Sequence, residues 1–162
     1  MSTITPCLWF DTEGEAAAEH YTSIFPNSKI LEIGRYSEAG PRAAGEVMIV
    51  AFELDGQRFT ALNGGPEFKH SEAISFQIAC ETQEDVDYYW EKLTADGGEE
   101  SQCGWLKDKF GLSWQIIPRQ LGEMLGDKDP EKAKRAMEAM LKMKKIDIQA
   151  LKDARDGVPA RA

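Results

Sequence analysis

One order of predicted elements, a strand followed by a helix and three more strands, occurs twice in this chain of 162 residues. The first copy covers about residues 3–65 and the second about residues 72–118. The likeness lies in the hydrophobic pattern and not in residue identity. A repeat of about 50–60 residues predicts two tandem modules that each contain helix and sheet, which is the α+β class.

The first module opens with the strand candidate "ITPCLWF". Alternation along a strand predicts Ile4, Leu8 and Phe10 on one face and Thr5, Cys7 and Trp9 on the other. In the helix that follows, TEGE from Thr12 has the capping-box pattern, and helical spacing predicts an inward stripe of Ala16, Ala17, Tyr21 and Ile24. The strand candidates "KILEIGRY", "EVMIVAFEL" and "RFTALN" complete the module, and Asp55-Gly56 predicts a hairpin between the last two.

The second module starts with "AISFQIAC", whose alternation predicts Ile74, Phe76, Ile78 and Cys80 on one face and Ser75, Gln77 and Ala79 on the other. TQED from Thr82 predicts a second capping box, and the helix carries Val86, Tyr89, Trp90 and Leu93 at core spacing. Weak strands are predicted in "EESQCGWLKD", with Cys103 and Trp105 on one face. After the turn "DKFG", the strand "LSWQII" places Ser113, Gln115 and Ile117 opposite Leu112, Trp114 and Ile116.

The type of predicted secondary structure changes after Pro118, where helical patterns replace strand patterns. Residues 1–120 are therefore predicted to form one domain and residues 121–162 a helical C-terminal extension. Pro130 favours a helix start, and an apolar stripe is predicted at Ala133, Met137, Met140 and Leu141. Asp147 and Gly157 are predicted to begin and end a last helix. This extension has too little apolar surface to fold alone, so we expect it to pack on the body or on a second subunit.

Composition limits the classes of binding partner and the cellular compartment that we expect for this protein. A net charge of −9 disfavours nucleic acid, because phosphate binding needs clustered Lys and Arg. No apolar run approaches the roughly 20 residues of a membrane span, so no membrane partner is expected. The N-terminal residues lack the features of a signal peptide, and three cysteines at positions 7, 80 and 103 do not indicate a disulfide framework. We therefore expect a cytoplasmic protein.

The duplicated β-α-β-β-β unit resembles the vicinal oxygen chelate superfamily, which contains glyoxalases, extradiol dioxygenases and bleomycin-resistance proteins. The segments "LWFDTEGEAAAEHYTSIFPNSKI", "DGQRFTALNGGPEF", "AISFQIACETQEDVDYYWEKL" and "CGWLKDKFGLSWQIIP" are similar to its PhnB-like branch. Members of this branch often carry the label 3-demethylubiquinone-9 3-methyltransferase. The resemblance implies a glyoxalase-like domain in which the two modules form a curved mixed sheet around a cavity, and it implies a homodimer.

The same resemblance implies where a metal would bind. In the metal-using members, the first, fourth, fifth and eighth strands supply His and Glu ligands to one divalent ion. The matching positions in this sequence are Thr5, Thr60, Ser75 and Gln115. Neutral oxygens alone bind a divalent transition metal weakly, so no metal site is predicted and a divalent metal is disfavoured. No GxGxxG follows a strand, and "LNGGP" indicates a turn, so no cofactor is predicted either.

The predicted cavity combines polar and aromatic side chains. Aromatic walls with a few polar groups are typical of a pocket for a flat organic ligand. We therefore predict a ligand-binding set of Thr5, Cys7, Trp9, Thr60, Ser75, Gln77, Cys103, Trp105 and Gln115.

Two functions from different classes are favoured on the sequence, ahead of a third in which the pocket is vestigial and the Met-rich tail helix of an interaction scaffold binds a partner chain. The first is a metal-free protein that binds a small organic metabolite. The second is a lyase, isomerase or transferase that acts on a small metabolite in the same cavity, either with metal assistance or through Cys7 or Cys103. No catalytic residue is assigned, and no cofactor motif supports methyl transfer.

Overall fold

The computed structural model describes residues 4–159, which form two four-stranded sheets and five α-helices. The strands are β1 (Cys7–Phe10), β2 (Lys29–Arg35), β3 (Val47–Leu54), β4 (Gln57–Asn63), β5 (Ser75–Cys80), β6 (Glu99–Glu100), β7 (Trp105–Lys107) and β8 (Ser113–Pro118). The helices are α1 (Gly14–Ile24), α2 (Gln83–Thr94), α3 (Arg119–Leu125), α4 (Pro130–Met140) and α5 (Ile148–Asp156). The chain divides between His70 and Ser71 into two compact units, each with one sheet.

The two sheets have the same topology. Their strand orders are β1-β4-β3-β2 and β5-β8-β7-β6. In each sheet the first strand of the module pairs in parallel with the last, and the other pairs are antiparallel. The predicted duplication and the α+β class are therefore confirmed. The predicted hairpin joins β3 to β4, and Asp55 and Gly56 both have positive φ, as the tight turns that suit twisted strands require.

Alternation predicts the core of the first module correctly at Leu8 and Phe10 but not at Ile4, which precedes β1 and is 95% exposed. Leu8 and Phe10 are buried, and Cys7 on the opposite face is exposed. Helix α1 covers the buried face with Ala17, Ala18, Tyr21 and Ile24. The predicted inward stripe is wrong at Ala16, which is exposed, because the helix is rotated so that Ala18 faces the sheet in its place.

The predicted capping box at Thr12 is also wrong. The N-cap of α1 is Glu13, and no side chain of the local sequence caps the helix. The cap comes from Asn63 at the end of β4, whose Oδ1 accepts a hydrogen bond from the Gly14 N–H at 2.8 Å. A Cβ atom at residue 14 would lie 2.6 Å from that oxygen, so glycine is required for this close approach.

The predicted capping box at the start of α2 is confirmed. The Thr82 side chain accepts from the Asp85 N–H at 3.1 Å, and the Asp85 carboxylate accepts from the Thr82 N–H at 3.0 Å. The N–H groups of Thr82 and Glu81, which both donate to this carboxylate, lower the pKa of the Asp85 carboxyl, since they favour its charged form. The helix then buries Val86, Trp90 and Leu93 against the second sheet.

Replacing Thr82 by alanine should lower the free energy of unfolding by about 1 kcal/mol, because one N–H of the first turn loses its partner. Urea unfolding followed by circular dichroism measures the change. Thr82→Ser is the matched control, since it keeps the capping oxygen, and it should unfold close to the parent protein. An equal loss in the alanine and serine variants would contradict the capping role.

The turn before β8 is built around a buried carboxylate. Asp108 is only 3% exposed. Its Oδ1 accepts from the N–H groups of Phe110 and Leu112 at 2.9 and 3.1 Å, and its Oδ2 accepts from the Trp114 Nε1–H at 2.8 Å. Gly111 completes the turn with a φ of 83°. The turn predicted in "DKFG" is thus confirmed, and one side chain joins it to the core of the sheet.

The C-terminal helices pack on the second module of their own chain. Their buried cluster consists of Leu121, Met124, Ala136, Ile146 and Leu151, with Ile117 of β8 packed against it. The Gln83 side chain donates to the Ile146 carbonyl at 3.1 Å and accepts from the Ile148 N–H at 2.9 Å. The C-terminal extension is predicted to pack either on the body of the chain or on a second subunit, and the structure shows these residues packed on the body.

The predicted stripe of α4 is partly wrong. Met137 and Leu141 are 40% and 58% exposed, whereas Ala136 is fully buried and Met140 packs on the cluster. The inward face is therefore rotated from the predicted one. The start of α4 at Pro130 and both limits of α5 are predicted correctly. The Asp129 side chain caps α4 by accepting from the N–H groups of Glu131 and Lys132, Asp147 accepts from the Ala150 N–H, and Gly157 ends α5 with a φ of 75°. Among residues 4–159, no helix has the length and apolar character needed to cross a membrane.

Candidate functional site

The face of the second sheet opposite α2 carries a connected row of neutral polar groups. Gln77, Gln115 and Trp105 lie side by side in register on β5, β8 and β7. The Gln77 amide donates to Gln115 Oε1 at 3.3 Å, and the Gln115 amide donates to Ser75 Oγ at 2.8 Å. Alternation predicts that these side chains share a face, but the hydrogen bonds themselves are visible only in the structure.

A small pocket of about 120 Å³ adjoins this row. Trp105 and Ser113 form part of its lining, and the remaining lining residues are Glu72, Glu99, Glu100, Ser101, Leu106 and Lys107. Lys107 Nζ lies 2.5 Å from Glu72 Oε1. This ion pair lowers the pKa of the Glu72 carboxyl and raises that of the Lys107 ammonium.

Ser113 is the least accessible polar residue of this pocket. It is 1% exposed, and its Oγ has no hydrogen-bond partner among residues 4–159. Ser113 and Lys107 line the pocket and are not among the site residues predicted from the sequence. Alternation provided a signal for both, since Ser113 shares a face with Gln115, and Lys107 shares one with Trp105.

In the first module, the predicted residues lie on the face opposite α1. Cys7 pairs with Thr60, and Trp9 pairs with Leu62, in the parallel ladder of β1 and β4. Cys7 is exposed, whereas Trp9 and Thr60 are half-buried. The predicted strand is too long at its start, because β1 begins at Cys7 and Thr5 precedes it.

Trp9 is fixed by the turn that follows β4. Its Nε1–H donates to the Gly65 carbonyl at 2.8 Å, and its ring meets Phe68 edge-on at 4.9 Å between centroids. A Cβ atom at residue 64 would lie 2.3 Å from the indole, so only glycine allows the ring to rest on the backbone. Trp9 is therefore a rigid aromatic surface whose N–H is already used.

The glycine turn does not have the features of a phosphate site. The N–H groups of Gly64 and Gly65 both point to the Phe10 carbonyl, at 2.9 and 3.4 Å. Irregular chain follows as far as β5, with no helix start at which a phosphate could bind. The interpretation of "LNGGP" as a turn is confirmed.

The three cysteines lie in different surroundings. Burial raises the pKa of the Cys80 thiol to about 12, which leaves it protonated and unreactive at neutral pH. Cys103 is not on a strand with Trp105, and that prediction is wrong, because the chain turns there with a φ of 58°. The Cys103 N–H donates to the Met143 carbonyl, and its sulfur lies 3.7 Å from the Met140 carbonyl oxygen. Cys103 therefore contacts the end of α4 and the segment that follows it.

The donor groups at the four implied ligand positions do not fit a divalent transition metal. Thr5, Thr60, Ser75 and Gln115 offer hydroxyl and amide oxygens and no anionic or imidazole ligand. Ser75 and Gln115 are bonded to each other. Within residues 4–159, no three His, Cys, Asp or Glu side chains converge as metal ligands would.

A second pocket, of about 220 Å³, lies in the first module beside the start of α1. Its one lining cation, Arg42, lies 3.4 Å from Asp11 and 3.2 Å from Glu46 and also donates to the Asp11 carbonyl. The guanidinium is thus surrounded by protein acceptors, so the cation of this pocket is already paired within residues 4–159.

Comparison with known proteins assigns the family. Residues 2–117 match the family model described as 3-demethylubiquinone-9 3-methyltransferase. The PhnB protein of Bacillus cereus is 36% identical over 72% of this chain and 99% of its own, with a TM-score of 0.65. A search of curated proteins found no match.

More distant structures share the fold. Protein PA1353 of Pseudomonas aeruginosa is 15% identical over 73% of this chain and 98% of its own, with a TM-score of 0.59. The fosfomycin resistance protein FosX of Listeria monocytogenes is 16% identical over 78% of this chain and 98% of its own, with a TM-score of 0.56. The chain therefore belongs to the 3-demethylubiquinone-9 3-methyltransferase family, in the PhnB-like branch of the vicinal oxygen chelate superfamily.

Proposed function

We propose that this protein binds a small, flat organic molecule without a metal ion, on the face of the second sheet that carries Ser75, Gln77, Gln115 and Trp105. The observation that carries the proposal is the hydrogen-bonded row from Gln77 through Gln115 to Ser75. Its ends remain able to bond a ligand, because an amide has two donors and one acceptor and a hydroxyl can both donate and accept.

The geometry of the row favours a flat polar ligand. Gln115 is held from both sides, so its amide is oriented before a ligand arrives, and less conformational entropy is lost on binding. Trp105 is its neighbour in the register and supplies an aromatic surface. A planar ring that carries an amide, carbonyl or hydroxyl group would stack on the indole and bond to the row.

The family description names a methyl transfer to a quinone, and this function has less support here. A methyl donor such as a nucleoside cofactor would need backbone N–H groups at a glycine-rich turn, and those of Gly64 and Gly65 are bonded to Phe10. The four implied metal-ligand positions lack charged or imidazole donors. We therefore propose binding, with no assigned chemical step.

Benzamide is a suitable first probe, because it combines a planar ring with an amide that complements Gln115. Isothermal titration should show saturable binding, and Gln115→Ala should raise the Kd by about threefold to tenfold, the effect of one or two lost hydrogen bonds. Trp105→Ala should weaken binding to a similar degree. Gln57→Ala, at an exposed glutamine of the β3–β4 hairpin, is the matched control and should leave the Kd unchanged.

Two results would overturn the proposal. One is the absence of saturable benzamide binding to the parent protein. The other is the same Kd in the Gln115, Trp105 and Gln57 variants, provided that circular dichroism shows all three to be folded. Elemental analysis of protein purified without chelator tests the metal-free part, and one equivalent of a divalent transition metal would contradict it.

A further inference from the structure

We propose that the 120 Å³ pocket beside the polar row recognises an organic ammonium group, so that the ligand of this protein is a small amine. This inference rests on the proposed function, since the pocket and the row share Trp105 as a neighbour. Three independent features of the pocket carry it: its charge, a buried hydroxyl without a partner, and an aromatic ring.

The charge of the lining is negative. It contains three carboxylates, those of Glu72, Glu99 and Glu100, and one ammonium, that of Lys107. Lys107 is paired with Glu72 at 2.5 Å, so these two charges offset each other. The lining residues thus carry an excess of two negative charges, of which that of Glu100 is partly offset by Lys144 outside the lining at 3.7 Å. This excess repels carboxylates and phosphates and attracts a cation.

Glu99 is the carboxylate best placed to meet this cation. Its side chain forms no hydrogen bond or ion pair within residues 4–159, although it lies opposite Lys107 in the β6–β7 ladder and adds to the effect of Glu72 in raising the pKa of the Lys107 ammonium. Glu100 differs, because its Oε1 accepts from the Trp90 Nε1–H at 2.7 Å and its Oε2 lies 3.7 Å from Lys144 Nζ. A bound ammonium would therefore take Glu99 as its main counter-ion and Glu100 as a weaker one.

Ser113 indicates that the pocket is built for a polar group. Its residue is 1% exposed, and its Oγ has no partner within the described part of the chain, although it lines the pocket. Buried hydroxyls are nearly always hydrogen-bonded, since an unpaired one has lost its water without compensation. An ammonium has three donors, and one of them would satisfy the Ser113 oxygen while another meets Glu99.

Trp105 adds the third feature. An indole face attracts cations through the negative potential of its ring, and a carboxylate nearby strengthens that preference. Because Trp105 lies between the pocket and Gln115, a ligand with an ammonium on a short arm and a flat polar body would reach both. The volume of about 120 Å³ admits the ammonium and its first carbon atoms, while the body stays on the polar row.

Benzylamine and benzyl alcohol are the probes that separate charge from shape. They have nearly the same size, and at neutral pH only the amine carries a positive charge. In isothermal titrations with the parent protein, benzylamine should bind at least tenfold more tightly than benzyl alcohol. The advantage should shrink with rising salt, as expected for an electrostatic contribution.

Three variants locate the effect. Glu99→Gln should weaken benzylamine binding about tenfold and leave benzyl alcohol unchanged, while Glu91→Gln, at an exposed acid of α2 outside the pocket, should alter neither. Ser113→Ala should weaken benzylamine binding about threefold to tenfold. It should not lower the Tm, because the hydroxyl makes no hydrogen bond within residues 4–159 that could be lost. If the Ser113 hydroxyl stabilised the fold, Ser113→Ala would instead lower the Tm.

Each outcome decides between the two proposals. If benzylamine and benzyl alcohol bind equally well and both depend on Gln115, the amine inference is wrong and the proposed function stands. If Glu99→Gln and Glu91→Gln weaken benzylamine equally, the pocket is not the site and the inference also fails. If the binding of benzylamine, benzyl alcohol and benzamide is in each case absent or unaffected by Gln115→Ala, the proposed function fails as well.

Discussion

Replacing Asp108 by alanine is expected to lower the free energy of unfolding by about 3–5 kcal/mol, the range for breaking a buried network around a charge. The carboxylate is buried and accepts hydrogen bonds from Phe110, Leu112 and the Trp114 indole. Alanine leaves these three N–H groups without that partner, and those of Leu112 and Trp114 are buried away from water. Urea unfolding followed by circular dichroism measures the loss.

The variant should also lose ligand binding. Asp108 fixes the turn from which β8 begins, and β8 carries Ser113 and Gln115. A displaced turn would shift both side chains, so benzamide binding should weaken even under conditions in which the variant stays folded. Urea unfolding and ligand titration of the Asp108 variant therefore both test whether the buried carboxylate fixes the turn before β8.

Asp87→Ala is the matched control for this prediction. Asp87 is also bonded to charged and amide partners, Lys145 at 2.6 Å and Gln83 at 3.1 Å, but its side chain is 49% exposed. An exposed ion pair contributes only about 0–1 kcal/mol, since water and salt screen it. A similar loss in both variants would show that burial of the Asp108 network does not set its contribution.

The sequence predicts the Asp108 turn but not its buried network. DKFG contains a tight-turn pattern, and alternation places Trp114 on the inner face of β8. Neither pattern shows that the carboxylate and the indole meet, because that contact depends on how far the turn folds over the sheet. The same limit applies to the polar row, where alternation predicts a shared face for Gln77 and Gln115 but not the bond between them.

The wrong predictions arise where a distant partner competes with a local pattern. Thr82 caps its own helix as TQED predicts, whereas TEGE at Thr12 has the same pattern and the start of its helix is capped by Asn63 of β4. The prediction that Cys103 lies on a strand with Trp105 is wrong for a related reason. Its N–H bonds to the Met143 carbonyl, 40 positions along the chain, and this contact holds a turn in what the local pattern shows as a strand.

The pocket proposed for the ammonium group shows why a functional site of this kind cannot be predicted from the sequence alone. Its residues come from the loop before β5, from β6 and β7, and from β8. Each of them alone is an ordinary surface or strand residue, and no spacing in the sequence relates Glu72 to Glu99 or Ser113. The absence of a partner for Ser113 Oγ among the described residues is a property of three-dimensional packing, which no pattern in the sequence contains.

Replacing Asn63 by leucine is expected to lower the free energy of unfolding by about 3–4 kcal/mol, since a buried amide with several partners leaves each of them unpaired at about 1–3 kcal/mol per group. Asn63 is 5% exposed. Its Oδ1 accepts from the Gly14 N–H, and its Nδ2 donates to the carbonyls of Thr12 and Val47 at 3.2 and 3.1 Å. One side chain thus ties the start of α1 to the ends of two strands.

Tyr36→Phe is the milder change in the same network. The Tyr36 hydroxyl donates to the Asn63 carbonyl oxygen at 2.6 Å, and its removal should reduce stability by about 1 kcal/mol, the value of one hydrogen bond. Urea unfolding of the two variants and of their combination gives the coupling between them. If Asn63→Leu is no more destabilising than Tyr36→Phe, the helix cap is not held by the Asn63 side chain.

Asn63→Asp separates the acceptor from the donor role of this side chain. Aspartate keeps an oxygen for the Gly14 N–H, where the helix dipole also favours a negative charge. Its second oxygen would face the Thr12 and Val47 carbonyls, which repel it. This repulsion should raise the pKa of the introduced carboxyl in the folded state above that in the unfolded state. Stability that depends on a raised pKa is present at low pH and is lost as the pH rises through it.

The deficit of Asn63→Asp relative to the parent protein should therefore be largest near neutral pH and shrink on acidification, because a protonated carboxyl can donate to one of the two carbonyls. Unfolding of the variant and the parent side by side at about pH 7 and about pH 5 measures this difference, and comparison at each pH removes the titration of all other groups. A deficit that is the same at both pH values would show that the Thr12 and Val47 carbonyls do not sense the charge. In that case the bonds from Nδ2 contribute little, and the acceptor bond to Gly14 alone holds the start of α1.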